Sequence, residues 1–342
     1  MKNRGRHDII VIGGSAGALD PLRQLLELLP TDLPATLLVT VHIPPDFPSV
    51  LPELLSRSGK WEARHPANCE KVKSGMVYVA PPNAHLVVND SRLELGTGPR
   101  ENRHRPAIDV LFRTAARSYG PRVAAVVLSG QLDDGSAGLM AVNIKGGLTI
   151  VQDPSEALAP EMPNNAIQYA GPDYVLPIQE IAQLLTRVSS EKLPLPNAPE
   201  SAMSHPDRSA EANRKKSTNS EAREGQPSAF ACPDCHGVLW EVEEEELLRF
   251  RCRVGHAYTS DSLRAAFSDS SEDALWVAMR TLEERAALLR RLANRSGERM
   301  SAHYLEEASG FDRHAEAIRR MLTETQLINR TEIEVASEGA AD

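Results

Sequence analysis

Between Asp8 and about Ser190, short aliphatic runs alternate with stretches of helical spacing. The runs are IIVI, TLLVTV, MVYVA, HLVV, VAAVVLS and LTIVQ, and several are apolar at successive positions, the pattern of strands buried on both faces of a parallel sheet. Helical spacing falls at Leu19–Leu29, Ser49–Arg57, Ala107–Ser118, Ser136–Lys145 and Ile178–Val188. The alternation predicts a three-layer α/β domain. The segment from Trp61 to Leu95, with Pro81-Pro82 and short runs, reads as hairpins rather than crossovers.

From about Lys192 to Ala229 the chain lacks aromatic residues and is dominated by Pro, Ser, Ala, Asn and charges. Such a stretch buries too little apolar surface to order itself and predicts a flexible linker. A compact Cys/His segment, Phe230–Tyr258, follows, and then two helical stripes. Leu275, Met279, Leu282, Ala286, Leu289 and Ala293 recur at four-three spacing, and Leu305, Ala308, Phe311, Ala315, Ile318 and Leu322 form the second stripe. Turned around Ser296-Gly297, the two faces predict a helical hairpin, the stripes serving either a local core or a partner or dimer surface. The expected divisions are 1–190 for the α/β domain, 191–229 for the linker, 230–260 for the Cys/His module, 261–330 for the hairpin and 331–342 for a disordered tail.

At 342 residues the chain has room for one sizeable core and an appendage. Its net charge of -9 argues against a general binder of nucleic acid or anionic membrane, because neither polyanion is attracted over most of the surface. Proteins or small molecules are the expected partners. No apolar run reaches the length of a membrane span, and MKNRGRHD leads into a short strand rather than a signal-peptide core, so a cytoplasmic location is expected. Of the four cysteines, Cys69 stands alone and is expected to be a small buried hydrophobe, while Cys232, Cys235 and Cys252 crowd together.

Three explanations meet at GGSAGA, after the first strand. A dinucleotide cradle needs the full G-x-G-x-x-G spacing and an acidic residue after the second strand, whereas that strand ends in His42-Ile43-Pro44. Gly13-Gly14-Ser15-Ala16-Gly17 satisfies G-x-S-x-G, the turn that lifts a nucleophilic serine above a sheet edge. Ser15 also suits a helix N-cap. At the same sheet edge the pattern places His42, after the second strand, and Asp133 and Asp134, in the turn following VAAVVLSG. A serine, a histidine and an aspartate at three strand ends supply a nucleophile, a base and an orienting acid.

In order along Asp8–Leu185 stand IGGSAGA, VHIPPDFPSVL, MVYVAPPNAHL, HRPAIDVLFRTAA, LSGQLDDGSAGL, TIVQDPSEALAPEMPNNAI and DYVLPIQEIA. With these motifs the segment resembles the catalytic domain of the chemotaxis protein-glutamate methylesterases (CheB type). The resemblance implies a doubly wound, mainly parallel sheet. It also implies hydrolysis of γ-glutamyl methyl esters on a signalling protein such as a methylated chemoreceptor, giving glutamate and methanol, with glutamine deamidation as a side activity and no cofactor for catalysis. Carried over by position, Ser15 is the nucleophile, His42 the general base and Asp134 the orienting acid, with Asp133 the second choice. Backbone N–H groups of Ala16 and Gln131 are the expected oxyanion donors.

Two positions depart from the family pattern: Ala18 stands for a glycine, and Gln131-Leu132 for a methionine-glycine pair, the latter beside the oxyanion pocket. Family members commonly carry a phospho-receiver domain, and with the first strand at about Asp8 none is expected in cis. Regulation is then absent, borrowed from a partner protein, or placed in the C-terminal part. The rival reading is a non-catalytic signalling or binding module on the same scaffold, and a third is a nucleotide-dependent enzyme.

CPDCHGVLWEVEEEELLRFRCRVGHAYT holds Cys232-x2-Cys235 and Cys252-x3-His256. Zinc takes four such ligands in a tetrahedron, and C-x2-C lets two thiolates reach one ion. His256 is the expected fourth ligand, with His236 in reserve, in a zinc-ribbon-like module whose closed site is structural. The acidic run EVEEEE reads as a solvated turn.

Overall fold

The computed structural model describes residues 6–44, 49–57, 60–190, 225–244 and 247–338. The first part of the chain runs β1 (Ile9–Gly14), α1 (Leu19–Leu28), β2 (Thr36–Val41), α2 (Leu51–Ser56), β3 (Glu62–Arg64), β4 (Glu70–Lys71), β5 (Met76–Val79), β6 (His85–Asn89) and β7 (Arg92–Gly96). It continues through α3 (Ile108–Tyr119), β8 (Val123–Val127), α4 (Ser136–Ile144), β9 (Leu148–Gln152), α5 (Glu161–Ala170), β10 (Tyr174–Leu176) and α6 (Ile178–Ser190).

Among the described residues, seven strands form one sheet in the order β10-β9-β8-β1-β2-β5-β3, and every pairing in it is parallel. Successive residues of β1 serve opposite layers. Ile10 and Ile12 pack with Leu22, Leu25 and Leu26 of α1 and with Ile181 and Leu185 of α6. Ile9 and Val11 pack with Leu111 and Phe112 of α3, Leu139 of α4 and Met162 of α5. The sheet is thus the middle of three layers and is doubly wound. Its central strands are mostly aliphatic because water reaches neither face.

Three features differ from the pattern-based expectation, the first being that Cys69, expected to be buried, is exposed. Within Trp61–Leu95 only β6 and β7 form a hairpin, turned at Asp90 and Ser91 with φ of 45° and 66°. β3 and β5 instead join the main sheet in parallel. Helix α5 was hidden by Pro160 and Pro163, which sit at its N-cap and first turn, where no intrahelical N–H bond is lost.

The second part of the chain begins with a small antiparallel sheet of β11 (Gln226–Ala231), β12 (Val238–Glu244), β13 (Leu247–Cys252) and β14 (Ala257–Thr259). It belongs to the same compact unit as the α/β layers, Met1–Leu263. A linker was expected over 191–229; residues 191–224 lie outside the described residues, and strand β11 already occupies 226–229.

Helices α7 (Ser260–Ala293) and α8 (Glu298–Glu338) form the hairpin, and a second compact unit starts at Arg264. Its seam is built of Ala286, Ala293, Ala308 and Ala315, all buried. Ion pairs Arg290–Asp312 and Arg319–Glu283 tie the helices antiparallel. Leu305, expected in the stripe, is exposed instead. α8 also runs past residue 330, where a tail was expected, because no Gly or Pro falls between Gly310 and Gly339 to end it. Residues 339–342 lie outside the described residues. Replacing Ala286 with Leu should force the helices apart and cost about 1–3 kcal/mol, read as an earlier unfolding transition by circular dichroism.

Candidate functional site

β1 lies between β2 and β8, the point where the winding of the sheet reverses, so a crevice opens at the carboxyl ends of these strands. Three side chains meet there. Ser15 directly follows β1, and its N–H bonds the Ser129 carbonyl, beyond β8, at 2.9 Å. Gly17, at φ 72°, then turns the chain into α1. The N-cap of α1 is Ala18 rather than Ser15, and the serine hydroxyl lies 3.1 Å from His42 Nδ1. His42 directly follows β2, with its N–H on the Gly14 carbonyl at 3.2 Å. Its Nε2 lies 2.7 Å from Oδ2 of Asp134, in the turn between β8 and α4.

Asp134 is 1% exposed and meets four donors. Oδ2 accepts from His42 and from the Ile108 N–H at 2.7 Å; Oδ1 accepts from the Asp109 N–H at 3.1 Å and Asn102 Nδ2 at 2.9 Å. Burial by itself would raise the pKa of this carboxyl, but the hydrogen bond and charge of His42, the Ile108 N–H and the Asn102 amide together hold it well below the usual carboxylate range. An ionised carboxylate only accepts, so His42 Nε2 carries the hydrogen and the Nδ1 lone pair faces the Ser15 hydroxyl.

Three further residues complete the corner, and sequence reasoning missed all of them. His104 stacks on His42 with ring centroids 3.5 Å apart and planes 10° from parallel. Burial, and then the neighbouring His42, push its pKa down to about 3, so it packs as a neutral ring. Asp109, fully buried, accepts the Gly135 and Gly138 N–H groups at 3.0 and 2.6 Å and Asn102 Nδ2 at 2.8 Å. Burial and the adjacent Asp134 raise its pKa. In sequence Asp109 looks like any acid in a first helical turn, and Asn102 like any loop residue.

Asp133 takes no part in this line: its Oδ1 accepts from Thr259 Oγ1 at 2.8 Å, and burial raises its pKa to about 7. The turn carrying Gln131 borders the serine, since a Cβ built on Gly130 would lie 3.0 Å from that of Ser15. Gln131 and Ala16 are themselves exposed, and the Ala16 carbonyl accepts from Ser129 Oγ at 2.8 Å. Leu132, where a glycine was expected from the resemblance, holds φ 60°, the left-handed backbone that glycine adopts without cost.

In the small sheet, donor atoms of Cys232, Cys235, Cys252 and His256 all lie within 4.8 Å of one another. Cys235 and Cys252 sulfurs are 3.5 Å apart, and His256 Nδ1 lies 3.4 and 3.6 Å from Cys252 and Cys232 Sγ. These separations fit the edges of a tetrahedron around one ion with bonds of about 2.0–2.3 Å, so the cluster can hold a metal. His236 contributes no donor atom to it.

The CheB methylesterase family model matches residues 10–185. The chain belongs to the CheB methylesterase family. A Leptospira interrogans relative named for protein-glutamate methylesterase/protein-glutamine glutaminase is 37% identical over 188 residues, covering 55% of this chain and 97% of the relative. A Xanthomonas campestris protein-glutamate methylesterase/protein-glutamine glutaminase is 35% identical over 195 residues, 56% of this chain, which spans 54% of that protein's length. The crystal structure of the Thermotoga maritima CheB methylesterase catalytic domain superposes with a TM-score of 0.51 at 32% identity, covering 54% of this chain and 98% of that one. The CheB match contains Ser15, His42 and Asp134 and stops short of the small sheet and the helical hairpin.

The buried acids make stability depend on pH. An unfolded Asp ionises near pH 4 (about 3.9), while native Asp133 keeps its proton to about 7. Between these values the native state holds more protons, so stability falls as pH rises through that window. Asp109 contributes in the same direction, whereas Asp134, held low, loses its contribution only below the window. Asp133→Asn should flatten the decline of Tm between about pH 4 and 7, measured by calorimetry against the unaltered chain.

Proposed function

We propose that the protein hydrolyses γ-glutamyl methyl esters on a signalling protein, releasing methanol and leaving glutamate. One observation carries this reading: Ser15 Oγ, His42 Nδ1, His42 Nε2 and Asp134 Oδ2 form a continuous hydrogen-bonded line, with links of 3.1 and 2.7 Å.

Ser15 Oγ attacks the ester carbonyl as His42 Nδ1 takes its proton. The tetrahedral adduct collapses, and the same Nδ1–H protonates the departing methoxide. A water molecule, deprotonated by Nδ1, then attacks the acyl-serine, and the proton returns to Ser15 as the glutamate carboxylate leaves. Asp134 keeps the hydrogen on Nε2 and stabilises the imidazolium formed in each half. Backbone N–H groups of Ala16 and Gln131 are proposed to receive the oxyanion, an arrangement favoured by the contact of Gly130 with Ser15; one such donor is typically worth about 2.7–4 kcal/mol of barrier. An amide in place of the ester gives glutamine deamidation by the same steps.

A methylated chemoreceptor, or another methylated signalling protein, is the substrate that fits this chemistry, and a regulatory partner protein is compatible with it. Cys232, Cys235, Cys252 and His256 are proposed to bind one Zn2+ in a ribbon-like module. Three thiolates and one imidazole close the coordination shell, so the ion supplies structure and no reactive water.

Ser15→Ala should abolish methanol release from a methylated receptor and labelling by a fluorophosphonate. Retention of release would overturn the nucleophile assignment, and failure of the unaltered protein to label would favour a non-catalytic scaffold. For the metal, elemental analysis should find one zinc per chain, and Cys235→Ser should bring this to zero and lower Tm.

A further inference from the structure

The relay is held from a direction that its chemistry does not itself demand. Asn102, 1% exposed, donates its side-chain amide to Asp134 Oδ1 and to Asp109 Oδ2 at 2.9 and 2.8 Å. Its carbonyl oxygen faces the end of the small sheet, accepting from the Thr259 N–H at 3.3 Å and the Ser262 hydroxyl at 3.4 Å. A carboxamide has one donor end and one acceptor end, so the two sets of partners select the same orientation. Flipped, the amide would set a carbonyl against two buried carboxyl groups and leave the Thr259 N–H facing an NH2 group.

The loop that carries Asn102 is tied to the small sheet beyond this one side chain. The Asn102 N–H bonds the Ala257 carbonyl at 2.8 Å, and the Ala257 N–H bonds the Arg100 carbonyl at 3.3 Å. Arg249 of β13, 2% exposed, pairs with Glu101 at 3.3 Å and stands 3.9 Å from Asp109. Thr259 holds Asp133. Each of the three buried aspartates at this corner is therefore touched by the segment Arg249–Ser262 or lies one amide away from it.

We propose that the segment Arg249–Ser262 is a positioning element of the relay: through Asn102 and the Glu101 loop it fixes the carboxylate of Asp134, and thereby His42. Full turnover then requires the small sheet to be docked. The proposal rests on Ser15, His42 and Asp134 being the hydrolytic relay. It makes the Cys/His module a control point in cis, because loosening its hold on the loop slackens the acid without altering the substrate's contacts.

The test compares Asn102→Ala, Arg249→Met, Arg249→Lys and Ser262→Ala with the unaltered full chain. It reads kcat and KM for methanol release, together with the ring-nitrogen NMR shifts of His42, which report its tautomer and hydrogen bonding. Asn102→Ala and Arg249→Met should lower kcat by about ten- to hundred-fold with KM within about twofold, and should shift the His42 signals. Arg249→Lys, which keeps the cation, should recover much of the loss. Should Arg249→Met fail to fold, Ser262→Ala takes its place with a smaller effect in the same direction. Unchanged kcat and unchanged His42 signals in both principal variants would overturn the proposal. If the unaltered chain releases no methanol, the esterase reading fails instead and the His42 signals decide alone: a shift in the variants upholds the coupling, and no shift ends it.

Discussion

Asp134 sits 1% exposed among groups that must keep it ionised, and an unpaired carboxylate at such depth costs several kcal/mol. Its four donors come from His42 after β2, from two N–H groups opening α3, and from Asn102 on the loop before that helix. To deliver those N–H groups, the start of α3 must lie almost on β1. Gly13 permits this, since a Cβ there would stand 2.2 Å from Ile108 Cγ2. The glycine at the end of β1 thus makes room for the helix that solvates the acid. The positive end of the α3 dipole adds to the same effect.

The remaining charges follow from that choice. Burial already raises the pKa of Asp109, and with Asp134 ionised beside it the carboxyl is pushed further in the same direction. Arg113 and Arg249 lie within 3.9 Å of it and also flank Glu101. Burial works against the Glu101 carboxylate, yet the two guanidiniums hold its pKa below the ordinary range. His104 lies on His42 as a neutral ring, so the His42 imidazole is covered by a flat uncharged face rather than a competing cation.

Much of this was legible in the sequence where the signal was local. Long aliphatic runs announced the strands, and Ser15, His42 and Asp134 stand just beyond three of them. The Cys/His spacing announced that Cys232, Cys235, Cys252 and His256 gather into a cluster able to hold a metal. What could not be read depends on approach rather than on pattern: Asn102, His104, Asp109 and Arg249 acquire their roles from contacts that the fold creates. Arg249 meets Glu101 across 148 positions, and nothing near Arg249 distinguishes it from its neighbours Arg251 and Arg253. Helix α5 was masked by prolines that a first turn tolerates. The polar stretch before the small sheet suggested an independent module, whereas the contacts at Asn102 and Glu101 place that sheet against the α/β layers.

A sheet of four short strands encloses too little apolar surface to be stable unaided. Leu239, Phe250 and Tyr258 are among its few large buried side chains. Metal ligation is one remedy for such a module, and attachment to a larger core is another. The attachment here is conspicuously polar, made of backbone ladder bonds, a buried ion pair and a hydrogen-bonded amide. Buried ion pairs contribute little net stability compared with well-packed apolar contacts. Their directional demands are strict, however, because each donor must find its acceptor or remain unsatisfied at full desolvation cost. An apolar contact would hold the sheet in several nearly equivalent placements. The polar one admits a single placement, in which the carbonyl of Asn102 faces Thr259 and its NH2 faces the acid of the relay.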